Sequence, residues 1–398
     1  MRTYEQTHPW LTFRLDLRQA DWNLWMEMGE AASKCEHLAG VPLQPAVAKR
    51  LHEIFLAKGA AATTAIEGNT LSEAQVLEHI RGTLKLPPSQ DYLKQEVDNI
   101  IRACEDIALA VVGPEATPAL RADLICQFNR QVLNKLPVHE DVTPGGLRHH
   151  QVIVGSVYRG APPEDCPFLL DRMCQWLNTD FNPPTGEDSR IPFAILKAIM
   201  AHLYLAWIHP FGDGNGRTAR LLEFYILLEA GVPLPAAHLL SDHYNRTRAE
   251  YYRQLDRASK SGGEVLPFLK YACRGLVDGL REQIKEVRNQ QWLVAWENYV
   301  HEVFRDRRTS ETHKRQRDLV LALGRQPGFV EVSQIPDLSP AMARAYARLT
   351  SKGLQRDLNH VFETGLIERR HGKVRAKREI ILAFLPARAG LPELTPPA

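Results

Sequence analysis

The stretch HPFGDGNGRTAR, from His209 to Arg220, decides how this chain is interpreted. It follows the long apolar run FAILKAIMAHLYLAWI and precedes LLEFYILLEAG, and both flanks are typical of buried helices. Pro210 ends the first of these helices and leaves His209 at its C-terminal end. We therefore expect a helical core whose two central helices meet at this turn.

The turn has the features of an anion-binding site. Gly214 and Gly216 let backbone N–H groups crowd together at the start of the second helix, where the helix dipole also favours negative charge. Asn215 can add a side-chain amide donor. Arg217 and Arg220 lie on one helix face, so both guanidinium groups can reach the same polyphosphate.

Asp213 is the one acid among these donors, which suits a Mg²⁺ ion that bridges it to phosphates. The stretch is not a Walker P-loop, which needs GxxxxGK[ST], nor an EF-hand, because Arg217 takes the place of an oxygen ligand. From the residues alone, a polyphosphate site and an ordinary turn with solvated arginines both remain open.

The same stretch satisfies the signature HxFx(D/E)GNGRxxR at every fixed position, and in this the chain resembles the Fic family. The resemblance extends over roughly residues 60–290. It implies a mainly α fold, in which an all-helical Fic core carries a short β-hairpin flap. It also implies an enzyme, a nucleotidyltransferase that moves AMP from ATP to a Ser, Thr or Tyr hydroxyl of a protein (AMPylation).

The resemblance assigns roles to the turn. His209 would be the catalytic general base on the target hydroxyl, and Asp213 would hold Mg²⁺ on the phosphates of ATP. Gly216 stands where the Doc-like kinase relatives have lysine, which favours nucleotidyl over phosphoryl transfer. The nucleotide-binding residues that it implies are Gly214, Asn215, Gly216, Arg217 and Arg220, with Asn245, Tyr251 and Tyr252 as candidates for the adenine side.

Two further segments fit the family. Val152, Ile153 and Val154, between Gly- and Pro-rich stretches, predict an extended hairpin and resemble the flap to which a target segment adds as a strand. TTAIEGNT fits the inhibitory pattern (S/T)xxxE(G/N) through Thr63 and Glu67. We expect the Glu67 carboxylate to pair with Arg220 and take the place of the γ-phosphate; a plain helix end is the alternative.

Beyond about residue 290 the pattern changes to three helices followed by strands, the order of a small winged helix-turn-helix domain. Its final strand is predicted in AKREIILAFLP, residues 376–386. Residues 344–378 carry ten Lys or Arg against three acids. Arg356, Arg369 and Arg370 are therefore candidate DNA contacts. A DNA-binding transcriptional regulator with a Fic-like core is one alternative function; a de-AMPylase or a Fic enzyme acting on another nucleotide, such as UTP, is the other.

The length of 398 residues predicts several domains. We expect an N-terminal helical region with the inhibitory helix (1–110), the Fic core (111–290) and the winged helix-turn-helix domain (291–398). The six cysteines lack metal-ligand spacing, which favours free thiols in a reducing compartment. No signal peptide or membrane span is predicted, so cytoplasm is the expected location. Self-modification and a homodimer remain open alongside a protein target.

Overall fold

The computed structural model describes residues 2–113, 119–155, 158–181, 189–305 and 310–382. The chain divides into two compact units, Met1–Ile284 and Lys285–Ala398. Both units are mainly helical, as expected. The predicted boundary at 290 falls close to this division, while the predicted boundary at 110 lies inside the first unit and stays a prediction.

The first unit opens with five helices that precede the turn at His209. Their starts follow capping chemistry: Asp21 Oδ1 accepts the N–H of Leu24 at 3.1 Å, and Ser72 forms a capping box with Gln75. These helices are α1 (Thr3–Thr7), α2 (Trp22–Ala39), α3 (Pro45–Ala65), α4 (Glu73–Ile80) and α5 (Asp91–Val112).

Eight further helices complete this part of the chain. They are α6 (Ala122–Val132), α7 (Cys166–Thr179), α8 (Arg190–Ile208), α9 (Asn215–Glu229), α10 (Leu234–Ala237), α11 (Leu239–Arg246), α12 (Arg248–Lys260) and α13 (Leu266–Val303). Short 3₁₀ helices cover Pro88–Gln90 and Pro163–Asp165. The last helix, α13, begins in the first unit and continues into the second.

α8 and α9 are the central helices of the first unit. Among the described helices, α8 alone is long and apolar enough to cross a membrane, and 72% of its apolar window is buried inside the protein. Leu203, Trp207 and Ile208 are each at most 2% exposed, and each such side chain contributes about 1.5–3 kcal/mol on burial. An all-round apolar helix of this kind belongs in a core, and the predicted buried helix is confirmed.

A hairpin stands between α6 and α7. β1 (Ile153–Val154) pairs antiparallel with β2 (Tyr158–Arg159), in the register Ile153↔Arg159 and Val154↔Tyr158. Residues 156 and 157 lie outside the described residues. The predicted short hairpin within a helical unit is thus confirmed.

The second unit contains α14 (Glu311–Gly324), β3 (Val330–Glu331), α15 (Pro340–Tyr346), α16 (Ser351–Glu363), β4 (Ile367–Arg370) and β5 (Lys373–Ala376). A 3₁₀ segment covers Val332–Leu338, and the sheet order is β3-β5-β4. Trp296, Leu319 and Leu358, each at most 1% exposed, belong to its core. The helix and strand order agrees with the one predicted, and the assignment to the winged helix-turn-helix class stays a prediction.

The predicted final strand is wrong in its position. β5 ends at Ala376, and Arg378–Leu382 form a 3₁₀ helix. Arg378 Nη1 donates to the carbonyl of Gly324 at 3.0 Å, which turns the chain back onto the end of α14 and away from a strand path. Residues 383–386 of the predicted strand lie outside the described residues.

Candidate active site

The turn between α8 and α9 holds His209 in a left-handed backbone conformation. α8 ends at Ile208, as predicted, and His209 has φ 51° and ψ 56°. This region costs a residue with a Cβ about 1–2 kcal/mol. Gly214, just before α9, also has a positive φ of 74°, which glycine adopts without penalty. The conformation of His209 therefore has to be held by its neighbours.

The imidazole of His209 has a defined proton arrangement. Its Nδ1 lies 3.2 Å from the carbonyl oxygen of Ala206; because a carbonyl only accepts, Nδ1 carries the proton and Nε2 keeps its lone pair. Burial lowers the pKa of His209 to about 4, and the charge of Arg148 adds to this effect against the carboxylates of Glu67 and Asp213. The ring is neutral at pH 7, and Nε2 is the atom that can take a proton.

Asn215 braces the turn. Its Oδ1 accepts the N–H of Phe211 at 3.0 Å, and its Nδ2 donates to the carbonyl of Phe211 at 2.8 Å. Phe211 is 1% exposed and anchors the turn in the core, as expected. Asn215 is 3% exposed and its amide closes the loop on itself; that it also binds a nucleotide stays a prediction.

The N-terminus of α9 rests on Asn129, a residue of α6. Asn129 Nδ2 donates to the carbonyl of Asp213 at 2.9 Å, and its Oδ1 accepts the N–H of Gly145 at 2.9 Å. A Cβ on Gly214 would lie 3.1 Å from this Nδ2. Glycine is thus required at 214 both for its positive φ and for the close approach of α6.

Gly216, in the first turn of α9, lies next to the carboxylate of Glu67. A Cβ placed there would collide with Oε1 of Glu67 and would lie 3.1 Å from Nη1 of Arg220. The carboxylate of Glu67 therefore rests against the first turn of the helix, where backbone N–H groups and the dipole favour an anion. An acidic group of the chain itself fills the space predicted for phosphate oxygens.

Arg217 and Arg220 both form ion pairs with acidic side chains. Arg220, 2% exposed, donates from Nη2 to Oε1 of Glu67 at 2.6 Å and to the carbonyl of Thr63 at 3.0 Å. Arg217, 5% exposed, donates from Nη1 to Glu96 of α5 at 3.2 Å, and its Nη2 lies 3.4 Å from Oδ1 of Asp213. Both arginines are buried, so neither guanidinium group is solvated; that both reach the same polyphosphate stays a prediction.

Glu67 lies just past the end of α3. α3 ends at Ala65, and Gly68, with φ 106°, follows Glu67 in the turn after the helix, so the acid lies in that turn. Burial on its own raises the pKa of Glu67, but the positive charges of Arg220 and Arg217 outweigh burial and the pKa is lowered. Thr63 takes part through its backbone carbonyl. The predicted pairing of Glu67 with Arg220 is present.

Asp213 fits a magnesium ion only together with a substrate. Its side chain is 49% exposed, and the described residues contain no cluster of three or more His, Cys, Asp or Glu that could hold a metal. Mg²⁺ commonly takes one or two carboxylates and completes its shell with phosphate oxygens and water. The residues present suit an ion that arrives with a nucleotide.

Residues 119–227 match the Fic/DOC family. The chain carries a Fic/DOC domain. Among curated relatives it is 33% identical over 215 residues to "Protein adenylyltransferase fic-1" of Caenorhabditis briggsae, covering 53% of this chain and 38% of that protein. It is 29% identical over 212 residues to "Protein adenylyltransferase Fic" of Nematostella vectensis, covering 53% and 45%. The chain thus spans less than half the length of these relatives.

Solved structures share the fold. A Fic family protein from Desulfovibrio desulfuricans matches with a TM-score of 0.55 at 20% identity, over 92% of this chain and 98% of that one. Fic-1 from C. elegans matches with a TM-score of 0.51 at 25% identity, over 66% and 72%. The helical fold of the Fic domain and its surroundings is therefore the one expected from the resemblance.

The hairpin of β1 and β2 offers an open strand edge. The Ile153 side chain is 63% exposed and that of Val154 is 36% exposed. Val152 accepts the N–H of Gly160 at 3.1 Å, which closes the base of the hairpin. The described residues give β1 no strand partner other than β2, so its outer edge can pair with an added segment.

The adenine-side candidates separate into different environments. Tyr251 is 3% exposed, and its hydroxyl lies 2.9 Å from Nε2 of buried His202; its place on the adenine side stays a prediction. Tyr252 is 44% exposed, with the guanidinium of Arg248 5.9 Å from its ring centre. Asn245 is half-buried on α11.

A buried polar network lies behind Arg220 and was not predicted. His202 Nδ1 lies 3.0 Å from Oε2 of Glu223, and the hydroxyl of Tyr244 donates to Oε1 of Glu223 at 2.8 Å. All three are at most 1% exposed. Polar residues within the apolar helices α8 and α9 were the available signal, since buried polar groups need partners.

Sequence reasoning also missed Glu96, Asn129 and Arg148, which support the site of the Fic domain from α5, from α6 and from the segment before β1. Arg148 belongs to GGLRHHQV, whose glycines were noticed and whose arginine was not. Each contact joins residues at least 61 positions apart, so no local spacing could have identified it.

In the second unit, the three candidate DNA contacts are not equivalent. Arg356 is exposed on α16, and the Arg370 side chain is 67% exposed. Arg369 donates from Nη1 to Oδ1 of Asn359 at 2.7 Å, with its guanidinium 5.5 Å from the ring centre of Phe362. Arg369 therefore serves the packing of β4 on α16, and burial lowers its pKa.

Proposed function

We propose that this chain is a protein adenylyltransferase that transfers AMP from ATP to a Ser, Thr or Tyr hydroxyl of a protein, and that Glu67 restrains it. The named relatives and the Fic/DOC domain support the reaction class. The observation that carries the proposal is a neutral His209 imidazole beside a helix N-terminus whose anion space is filled by the carboxylate of Glu67.

His209 acts as the general base. The hydroxyl oxygen of the target attacks the α-phosphorus of ATP, and its proton passes to Nε2 of His209. The bond from the α-phosphorus to the oxygen that bridges to the β-phosphate breaks, and pyrophosphate leaves with the electron pair. The neutral ring supports this role, because a protonated imidazole has no lone pair to offer.

The α9 N-terminus stabilises the negative charge. Glu67 lies against the first turn of α9; the N–H groups of a helix's first turn have no partner within the helix, and charge that develops on the α-phosphate is stabilised there. Arg217 and Arg220, once released from Glu96 and Glu67, bind the β- and γ-phosphates. Asp213 would hold a magnesium ion, which would supply positive charge against that of the phosphates.

The target is presented by the flap. Its chain pairs with the open edge of β1, and the exposed Ile153 packs against one of its side chains. Main-chain pairing places one residue of the target over His209 and does not depend on the side chains next to that residue. A segment of a second copy of the chain can therefore be a target as well.

α-labelled ATP tests the proposal. We expect Glu67→Gly to label a protein band in cell lysate and His209→Ala, in the same background, to abolish the label. His149→Ala, an exposed neighbour on the flap side, is the matched control and should keep it. Labelling that survives His209→Ala would remove His209 as the base. Purified protein without lysate shows whether the chain labels itself, and the mass of the adduct separates adenylyl from uridylyl transfer.

DNA binding by the second unit is a second candidate function. Arg356, exposed on α16, and Arg370, exposed on β4, favour it, since a basic helix face and an adjacent hairpin can both reach phosphates. We expect a gel shift of duplex DNA that weakens with salt. Arg356→Ala should reduce it more than Arg369→Ala, because Arg369 is held by Asn359.

A further inference from the structure

Arg148 is a buried cation bound to backbone oxygens. It is 3% exposed. Its Nε donates to the carbonyl of His209 at 2.7 Å, its Nη1 to that of His150 at 2.8 Å, and its Nη2 to that of Ala161 and, at 3.4 Å, to that of Ile208. Every hydrogen-bond acceptor of Arg148 in the described part of the chain is a carbonyl.

Two of these carbonyls flank the Cα of His209. The oxygen of Ile208 belongs to the peptide plane that sets φ of His209, and the oxygen of His209 belongs to the plane that sets ψ. One planar guanidinium therefore fixes both planes and holds the left-handed conformation that His209 would otherwise leave. The N–H of Arg148 itself donates to the carbonyl of Pro210 at 3.0 Å, which adds a third contact to the same turn.

The other two carbonyls lie at the base of the flap. His150 precedes β1 and Ala161 follows β2, so the same guanidinium joins both stems of the hairpin to the turn that carries His209. A Cβ on Gly160 would lie 3.0 Å from Nη2 of Arg148 and 3.1 Å from Cβ of His209. Arg148, the stems of the hairpin and the turn at His209 are therefore in close contact.

We infer that Arg148 is a positioning residue that sets the direction of the His209 imidazole through the backbone on both sides of its Cα and fixes the flap relative to it. The inference on catalysis rests on the proposed AMP transfer; the inference on the imidazole does not. Arg148 acts through the backbone of His209 and through its charge.

The charges around His209 agree with this role. Arg148, from the segment before the flap, lowers the pKa of His209, whereas Glu67, from the end of α3, and Asp213, from the turn, raise it. Arg148 is the only one of these three charges that helps burial to keep the ring neutral. Burial lowers the pKa of Arg148 itself, and a guanidinium nevertheless stays charged at any pH used for an assay.

The test separates the effect of the positive charge of Arg148 from the effect of its planar set of donors, called the fork below. Arg148→Lys keeps a positive charge but loses the planar set of donors, and Arg148→Met loses both. Tyr158→Phe is the control, because it removes a different flap hydrogen bond, from Tyr158 to the carbonyl of Trp207 at 2.7 Å, without changing charge. All variants are made in the full chain with Glu67→Gly, and thermal unfolding establishes that each is folded.

Two measurements are needed. NMR titration of the labelled His209 ring reports its pKa without any enzymatic turnover. We expect Arg148→Met to raise this pKa by about one unit, and Arg148→Lys and Tyr158→Phe to leave it near that of the parent. Initial rates with α-labelled ATP should fall at least about tenfold in kcat for Arg148→Lys, with KM for ATP little changed.

An unchanged His209 titration in a folded Arg148→Met variant would overturn the role of the charge. Parental kcat in Arg148→Lys would overturn the role of the fork. If the parent itself transfers no AMP, the proposed function fails while the titration result still decides whether Arg148 controls the imidazole. If Arg148→Met does not fold, the Lys variant carries the test of the fork, and Arg148→Gln replaces Met for the titration.

Discussion

Oε1 of Glu67 lies 2.6 Å from Nη2 of Arg220, and the same nitrogen donates to the carbonyl of Thr63 at 3.0 Å. Thr63 lies in the last turn of α3, and Glu67 is the second residue after the helix ends. The end of α3 thus holds Arg220 through a charged and an uncharged acceptor. In the proposed reaction ATP requires this guanidinium, so the helix end and the γ-phosphate compete for one side chain.

Removing Glu67 should raise AMP transfer and lower stability at the same time. Glu67→Gly leaves the buried Arg220 without a carboxylate; because Glu67 is 34% exposed, we expect a loss of only about 1–2 kcal/mol in the free energy of unfolding. AMP transfer should rise by at least about tenfold, since the phosphates then meet no competitor. Thermal unfolding with and without ATP, together with label incorporation, measures both effects.

Glu67→Gln is the informative companion variant. It keeps the shape and one acceptor oxygen but lacks the charge, so its activity should fall between those of the parent and of Glu67→Gly. ATP should stabilise Glu67→Gly more than the parent, because binding adds to folding only where the site is accessible. Equal activity of all three proteins would show that the carboxylate does not restrain transfer.

Glu96 should restrain the second arginine. Its Oε1 accepts from Arg217 at 3.2 Å, and its Oε2 accepts from Asn69 at 2.8 Å, two residues after Glu67. Glu96→Gln removes the charge that neutralises Arg217. We expect tighter binding of a non-hydrolysable ATP analogue with Mg²⁺, by roughly three- to tenfold, since charge-assisted pairs contribute about 1 kcal/mol or more.

Calorimetry on four proteins tests this role of Glu96: the parent, Glu67→Gln, Glu96→Gln and the double variant. Glu105→Gln is the matched control, because Glu105 lies on the same helix, α5, and is exposed. Binding by Glu96→Gln that equals that of Glu105→Gln would mean that Arg217 is available to phosphates without displacement of Glu96.

The sequence located the site well where the contacts are local. The α8 end, the αL-prone turn and the α9 start are all set by residues within a dozen positions, and the signature names them. Glu67 was found from a second local pattern. Its partner Arg220 lies 153 positions away, and only the family resemblance brought the two together.

The remaining parts of the site depend on packing between distant segments. The inward direction of Asn215 follows from its bonds to Phe211, and the burial of Tyr251 follows from His202. Neither can be read from residue type, because an amide or a phenol serves a ligand and a core equally well. Arg148 carries four carbonyl bonds, yet in the sequence it is one arginine among many.

Acid should destabilise this protein through its buried histidines. Burial lowers the pKa of His209 to about 4 and that of His238 to about 4, whereas an unfolded histidine titrates near 6.5. Below about pH 6.5 the unfolded chain takes up protons that the folded protein does not, so stability is greatest above this pH and falls as the pH approaches 4. Lowering the pH from about 7.5 to about 5 should reduce the free energy of unfolding by about 2 kcal/mol for each of these two histidines.

His238→Phe should reduce that loss by about 2 kcal/mol. The ring of His238 stacks on Phe224 with centroids 4.5 Å apart, and phenylalanine keeps a ring there without a titrating nitrogen. Denaturant unfolding at the two pH values gives the difference within each variant, which cancels any change in packing. His139→Ala, at a side chain that is 78% exposed, should behave as the parent, and a parental pH dependence of His238→Phe would contradict the assignment.

Gly216→Ala should separate stability from activity. In the Glu67→Gly background the added methyl group lies where Oε1 of Glu67 was, so it enters the space proposed for the phosphates and should weaken binding of the ATP analogue at least about tenfold. The same change replaces glycine in the first turn of α9 and should stabilise the fold by roughly 0.5–1 kcal/mol. Gly29→Ala is the control, because a Cβ there meets no atom within 4 Å, and it should gain stability with binding intact. A Gly216→Ala variant that binds nucleotide as its parent does would show that the phosphates lie elsewhere, since a methyl group cannot share that space with an oxygen.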